Sequence, residues 1–95
     1  MVLGVLKLTF LLHDNHSLKG KRSVVKSITA KARNKFNCSI AEVGSNDLLQ
    51  RIEIGIAVVG NNRRHLDSCL SSVHNYIEAL YLAEIVDSSV EIISL

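Results

Sequence analysis

Apolar and polar positions alternate from Val2 to Leu12. Leu6, Leu8, Phe10 and Leu12 share one face, and Leu3, Val5, Lys7, Thr9 and Leu11 share the other. A period of two predicts a strand, and two largely apolar faces predict a central one. His13-Asp14-Asn15 then reads as a turn, because short polar side chains bond their own backbone. The pattern switches to helical spacing at Ser17, which reads as an N-cap. Leu18, Val25, Ile28, Ala32 and Phe36 form its apolar stripe. Ser23, Ser27, Ala30 and Asn34 fall on the outward ridge. Asn37 suits a left-handed helix exit.

A second strand is predicted from Cys38 to Val43, closed by the turn residues Gly44-Ser45-Asn46-Asp47. A third runs from Arg51 to Val59, with Ile52, Ile54, Ile56 and Val58 inward. Gly60-Asn61-Asn62 breaks it and caps a second helix. That helix carries Leu66, Cys69, Leu70, Val73, Ile77 and Leu80 on one stripe and ends near Tyr81. A last strand, Glu84 to Leu95, has Val86, Val90 and Ile92 as its expected inner residues. The order is βαββαβ. Two helical crossovers onto one sheet predict a ferredoxin-like α+β sandwich over residues 1–95: a four-stranded antiparallel sheet, both helices on one face, first and third strands central.

Ninety-five residues make one domain, and an apolar fraction of 47% supports a single small core. No run reaches the length of a membrane span. Met1 leads directly into a strand pattern without signal-peptide anatomy, so a cytoplasmic protein without membrane partners is expected. Cys38 and Cys69 stand alone and read as reduced thiols.

Charge changes the picture most. Lys19, Lys21, Arg22, Lys26, Lys31, Arg33 and Lys35 lie in the first helix, which contains no acid. The rest of the chain has four basic residues against nine acids. One segment is therefore +7 and the remainder −5. Basic residues in a first helical turn oppose the helix dipole, so the helix gains no stability from them. His16, Ser17, Lys19, Lys21, Arg22, Lys26 and Arg33 are the candidate nucleic-acid or anion-binding residues. With Phe10 inward, the outer positions of the first and third strands carry no aromatic. That disfavours base stacking on the sheet and favours phosphate contacts from the helix.

Val5, Leu11, Ala57 and Val59 fall on the uncovered sheet face and are the candidate interface of a homodimer, with Lys7 and Glu53 expected to pair between subunits. His13 with His16, and His65 with Cys69, lack the third and fourth ligands a metal needs. No metal, cofactor or catalytic residue is expected.

The opening Met1-Val2-Leu3-Gly4-Val5-Leu6 and the run His16-Ser17-Leu18-Lys19-Gly20-Lys21-Arg22 resemble the YlxP-like family of small bacterial proteins. So do Phe36-Asn37, Ala41-Glu42-Val43, Gln50-Arg51 and Gly55-Ile56-Ala57-Val58-Val59, with Asn61 and Arg63-Arg64-His65. The resemblance runs from end to end. It implies a ferredoxin-like fold and no established activity. Relatives are often encoded beside a translation initiation factor and a ribosome-binding factor, which implies ribosomal RNA or the ribosome as partner. Two positions depart from the family. Gly20 stands where relatives have an acid, and an acid there would complete a capping box with Ser17 and raise stability. Leu49 stands where relatives tend to have an aromatic.

The expected function is RNA or ribosome binding by the basic first helix. A dimeric regulatory or structural module using the open sheet face is the alternative. A small phosphoester or acyl-phosphate hydrolase is a further one, weakened by the missing glycine-rich loop.

Overall fold

The computed structural model describes all of residues 1–95. Its elements are β1 (Val2–Leu11), α1 (Leu18–Lys35), β2 (Ser39–Gly44), β3 (Arg51–Gly60), α2 (Arg63–Glu78) and β4 (Glu84–Ser94). The sheet is antiparallel with order β2-β3-β1-β4, which puts the first and third strands in the centre. The fold is ferredoxin-like. No helix is long and apolar enough to cross a membrane.

The two helices are started by side chains that satisfy free amides. Ser17 Oγ accepts from Gly20 N at 3.0 Å, and Asn62 Oδ1 accepts from His65 N at 2.9 Å. Their apolar stripes pack on the inward sheet face. Leu6, Leu8 and Phe10 of β1 and Ile52, Ile54 and Ile56 of β3 meet Ile28 and Ala32 of α1 and Leu70, Val73 and Ile77 of α2. Burying each large aliphatic side chain here stabilises the fold by about 1.5–3 kcal/mol.

Three local expectations fail, the last of them through a register shift. The exit of α1 is not left-handed: Phe36 caps it in extended geometry, and the non-glycine residues at positive φ are Asp14, Ser45 and Tyr81. The second helix stops at Glu78, before Leu80. In β4 a register shift between Thr9 and Phe10 of the neighbouring strand inserts one residue. Ile85 therefore pairs with Phe10, and Val86 is left 43% exposed instead of turning inward, while Val90, opposite Leu6 on this edge strand, stays 49% exposed.

Candidate nucleic-acid interface

The segment His16–Phe36 presents its charge outward as a consequence of the apolar stripe. Once Ile28 and Ala32 face the sheet, the helical period turns Lys19, Arg22, Lys26, Lys31, Arg33 and Lys35 to the surface, where all six are exposed. Lys19, Arg22 and Lys26 follow the i, i+3, i+7 spacing of one ridge. None of the six forms an ion pair; the side-chain pairs of the molecule are Lys7–Glu53, His13–Glu84, Lys21–Glu42 and Arg51–Glu53. Two of the six are tied down by other means. Arg33 donates to Ile40 O at 3.0 Å, and Lys35 lies over the Tyr76 ring.

Lys21 does not belong to this surface, contrary to the expectation from its charge. It is 1% exposed. Position 21 lies on the same side of the helix as Ile28 and Ala32, so its side chain runs beneath α1 toward the β2–β3 hairpin. There its ammonium group donates to Ser45 O and stands 3.3 Å from Glu42 Oε2. That oxygen is buried and has no hydrogen bond, so the ammonium charge is its only compensation. Seven basic residues thus become six exposed cations, two of them tied down, and one internal strut.

The start of α1 is fixed by a clamp across two loops. Asn15 Nδ2 donates to Ser17 O at 2.9 Å and to Leu49 O at 2.6 Å, while Gln50 Nε2 donates to Asn15 O at 3.2 Å. Gly20 is part of this clamp. A Cβ at position 20 would collide with Asn15 Oδ1 and lie 3.0 Å from Ser17 Oγ. The departure from an acid at position 20 is therefore matched by Asn15, and an acid there cannot complete a capping box without displacing the clamp. His16 is exposed and makes no side-chain hydrogen bond. With Asn15, Leu11, Leu48, Leu49 and Arg51 it lines an open cavity of about 410 Å³ beside the helix start.

The hairpin continues the polar chain to the other side of the sheet. Ser45 Oγ donates to Glu53 Oε2 at 2.5 Å, and Lys7 Nζ lies 3.0 Å from Glu53 Oε1. The Ser45 hydroxyl first, and the Lys7 bond and charge next, hold the Glu53 carboxyl below the ordinary value for glutamate. Lys7 and Glu53 thus pair within one chain and are not held in reserve for a partner. Burial pushes the Cys38 thiol up, against the opposing charge of Arg33.

The four candidate interface residues do not form one patch. Val5 pairs with Ala57, and Leu3 pairs with both Val59 and Ile93, which makes a cluster of Leu3, Val5, Ala57, Val59 and Ile93 on the uncovered face. Leu11 lies beyond Lys7, Thr9 and Glu53, paired with Arg51, and is separated from that cluster by the polar band. Leu3 and Ile93 belong to the cluster in its place. Ile93 extends the cluster from β4 rather than covering it. His65 Nε2 and Cys69 Sγ approach to 3.5 Å. No group of three or more His, Cys, Asp or Glu side chains converges.

Comparison with known proteins gives a family. The model of a family described as "Protein of unknown function (DUF503)" matches residues 3–90. The chain is 37% identical over 78 residues to the uncharacterized protein YlxP of Bacillus subtilis, covering 82% of this chain and 85% of that one. Among solved structures, SnoaB, a cofactor-independent oxygenase from Streptomyces nogalater, superposes over 99% of this chain and 92% of its own with a TM-score of 0.48 and 10% identity.

Proposed function

The chain belongs to the YlxP-like family of proteins of unknown function, and from its geometry we propose that it binds structured RNA, ribosomal RNA foremost, through phosphate contacts from α1. One observation carries this reading: six exposed cations on a single helix, with no acid within the helix and no ion pair to any of them. Arg33 and Lys35 suit the dipole in the last turn, but the helix does not benefit from the cations before them. Arg22 with Lys26, and Lys31 with Lys35, are like-charge pairs at i, i+4, each destabilising by about 0.2–0.5 kcal/mol. Lys19 opposes the dipole in the first turn. A polyanion offsets both penalties, and the ridge Lys19–Arg22–Lys26 suits a phosphate backbone read without sequence. Cytoplasmic work on the ribosome is part of this proposal. Affinity of the purified protein for a structured ribosomal RNA fragment, measured across a salt series, tests it. Three or four phosphate contacts imply a slope of log K against log salt of roughly −2 to −4. Ribosomal subunits should be retained by the tagged protein at low salt and released at high salt. Absence of RNA binding at low salt refutes the reading.

The sheet face supports a second reading, a homodimer. Leu3, Val5, Ala57, Val59 and Ile93 adjoin one another across three strands, and Val59 is 67% exposed. Contiguous apolar surface of this kind marks interfaces. Val59→Glu is expected to convert a dimer into a folded monomer by sedimentation velocity, and a parent protein that sediments as a monomer at high concentration refutes the dimer.

A further inference from the structure

The end of β1, the exit of α2 and the start of β4 line an open cavity of about 430 Å³, separate from the basic ridge. Its floor is apolar, formed by Leu11, Leu12, Leu82 and Ile85. Its rim carries Glu78, Tyr81 and the pair His13–Glu84, whose Nε2 and Oε2 are 2.5 Å apart.

The Tyr81 N–H donates to Glu78 O at 3.2 Å and closes the end of α2, but two features of this rim go beyond what folding needs. Tyr81 sits at φ 53, a left-handed conformation just past the helix end that glycine or asparagine adopts with less strain. The residue is 88% exposed, so core packing does not compensate. An exposed aromatic held at a strained backbone position points to a use outside the fold. The second feature is electrostatic. The last turn of α2 contains no basic residue, and the helix ends on Glu78. The negative end of the helix dipole and a carboxylate therefore face the same space, with Glu84 across from them. No lysine or arginine lines the cavity, and His13 is already engaged with Glu84.

We propose that this cavity binds a small amphipathic organic cation. Its apolar body rests on Leu12, Leu82 and Ile85, and its ammonium group is held by Glu78, Glu84 and the face of Tyr81, the ring contributing a cation–π contact. The volume lies within the range of small-ligand sites, on the order of 300–1,000 Å³. The ligand ammonium competes with His13 for Glu84. Charge sign is what separates this occupant from a nucleotide or a fatty acid, both of which the two carboxylates repel.

Titration of the isotope-labelled protein with 2-phenylethylammonium and with phenylacetate tests the proposal, since the two probes share a ring and differ in charge. The ammonium probe should shift the amides of Leu12, Leu82 and Ile85 saturably, with a dissociation constant at least tenfold lower than that of phenylacetate. Glu78→Gln should reduce that preference severalfold. Tyr81→Gly should weaken ammonium binding while raising the denaturation midpoint, an opposition that a purely structural tyrosine would not show. Equal binding of the two probes makes the cavity an unselective apolar notch and overturns the proposal. Absence of saturable shifts from either probe also overturns it.

Discussion

Replacing Lys21 by methionine removes the one lysine of α1 that the fold places inside. The magnitude follows from its surroundings. Methionine keeps most of the aliphatic volume and nearly the same helix propensity, so cavity and backbone effects are small. What is lost is the partner of Glu42, whose Oε2 is buried without another donor, and the donor to Ser45 O. Breaking a buried ion pair by removing one member costs about 3–5 kcal/mol. The Glu42 side chain keeps 22% of its exposure, which allows partial hydration and points to the lower end, about 3 kcal/mol including the Ser45 carbonyl. With a urea dependence of about 1–1.5 kcal/mol per molar, the unfolding midpoint should fall by roughly 2–3 M. Adding Glu42→Leu removes the stranded carboxylate and should recover most of the loss, to within about 1 kcal/mol of the parent. Glu42→Leu alone strands the buried Lys21 ammonium and is destabilising too, so a double-mutant cycle by urea denaturation should give a coupling of at least about 2 kcal/mol. If Lys21→Met alone stays within about 0.5 kcal/mol of the parent, the strut does not exist and the assignment of Lys21 to the interior is wrong.

Two further perturbations test the same region. Gly20→Glu should lower the urea midpoint, because its Cβ displaces Asn15 and with it the bonds to Ser17 O and Leu49 O; a raised midpoint would show that the capping box forms after all. Glu53 has a folded-state value below its unfolded one. Its stabilising contribution is therefore fully present above about pH 4.3, the ordinary glutamate value, and is lost as pH falls through the lower folded value. Glu53→Gln should be less stable than the parent at neutral pH and converge with it in acid, and a difference independent of pH would refute the Ser45 and Lys7 attribution.

The sheet was legible because period two holds cleanly through β1 and β3, where both strands are central and one face is buried. It failed in β4, where a single inserted residue swaps the inward role from Val86 to Ile85. Alternation alone carries no mark of such an insertion. The basic helix was legible as a charge anomaly, but the role of Lys21 was not. Its helical position relative to Ile28 and Ala32 marked it as inward, and its charge argued against that reading. Only the placement of Glu42 and Ser45 on the neighbouring hairpin resolves the conflict. The exchange of Leu11 for Leu3 and Ile93 in the apolar cluster has a similar origin: residues of one parity share a face, but strand register decides which of them touch. The cavity beneath Tyr81 had no sequence signal, since it forms where three segments distant in the chain meet.

The measurement that bears most directly on RNA binding compares Lys19→Glu/Arg22→Glu/Lys26→Glu with the parent for affinity to a structured ribosomal RNA fragment across a salt series. Circular dichroism serves as the check on folding, since all three side chains are exposed and unpaired. Arg33 is left intact because its bond to Ile40 O ties α1 to β2. Removing three phosphate contacts should flatten the salt slope by roughly 2–3 and weaken binding by on the order of a hundredfold or more at low salt. Lys21→Met, studied under conditions where it remains folded, should bind as the parent does. A folded triple variant that binds RNA within twofold of the parent would contradict the account.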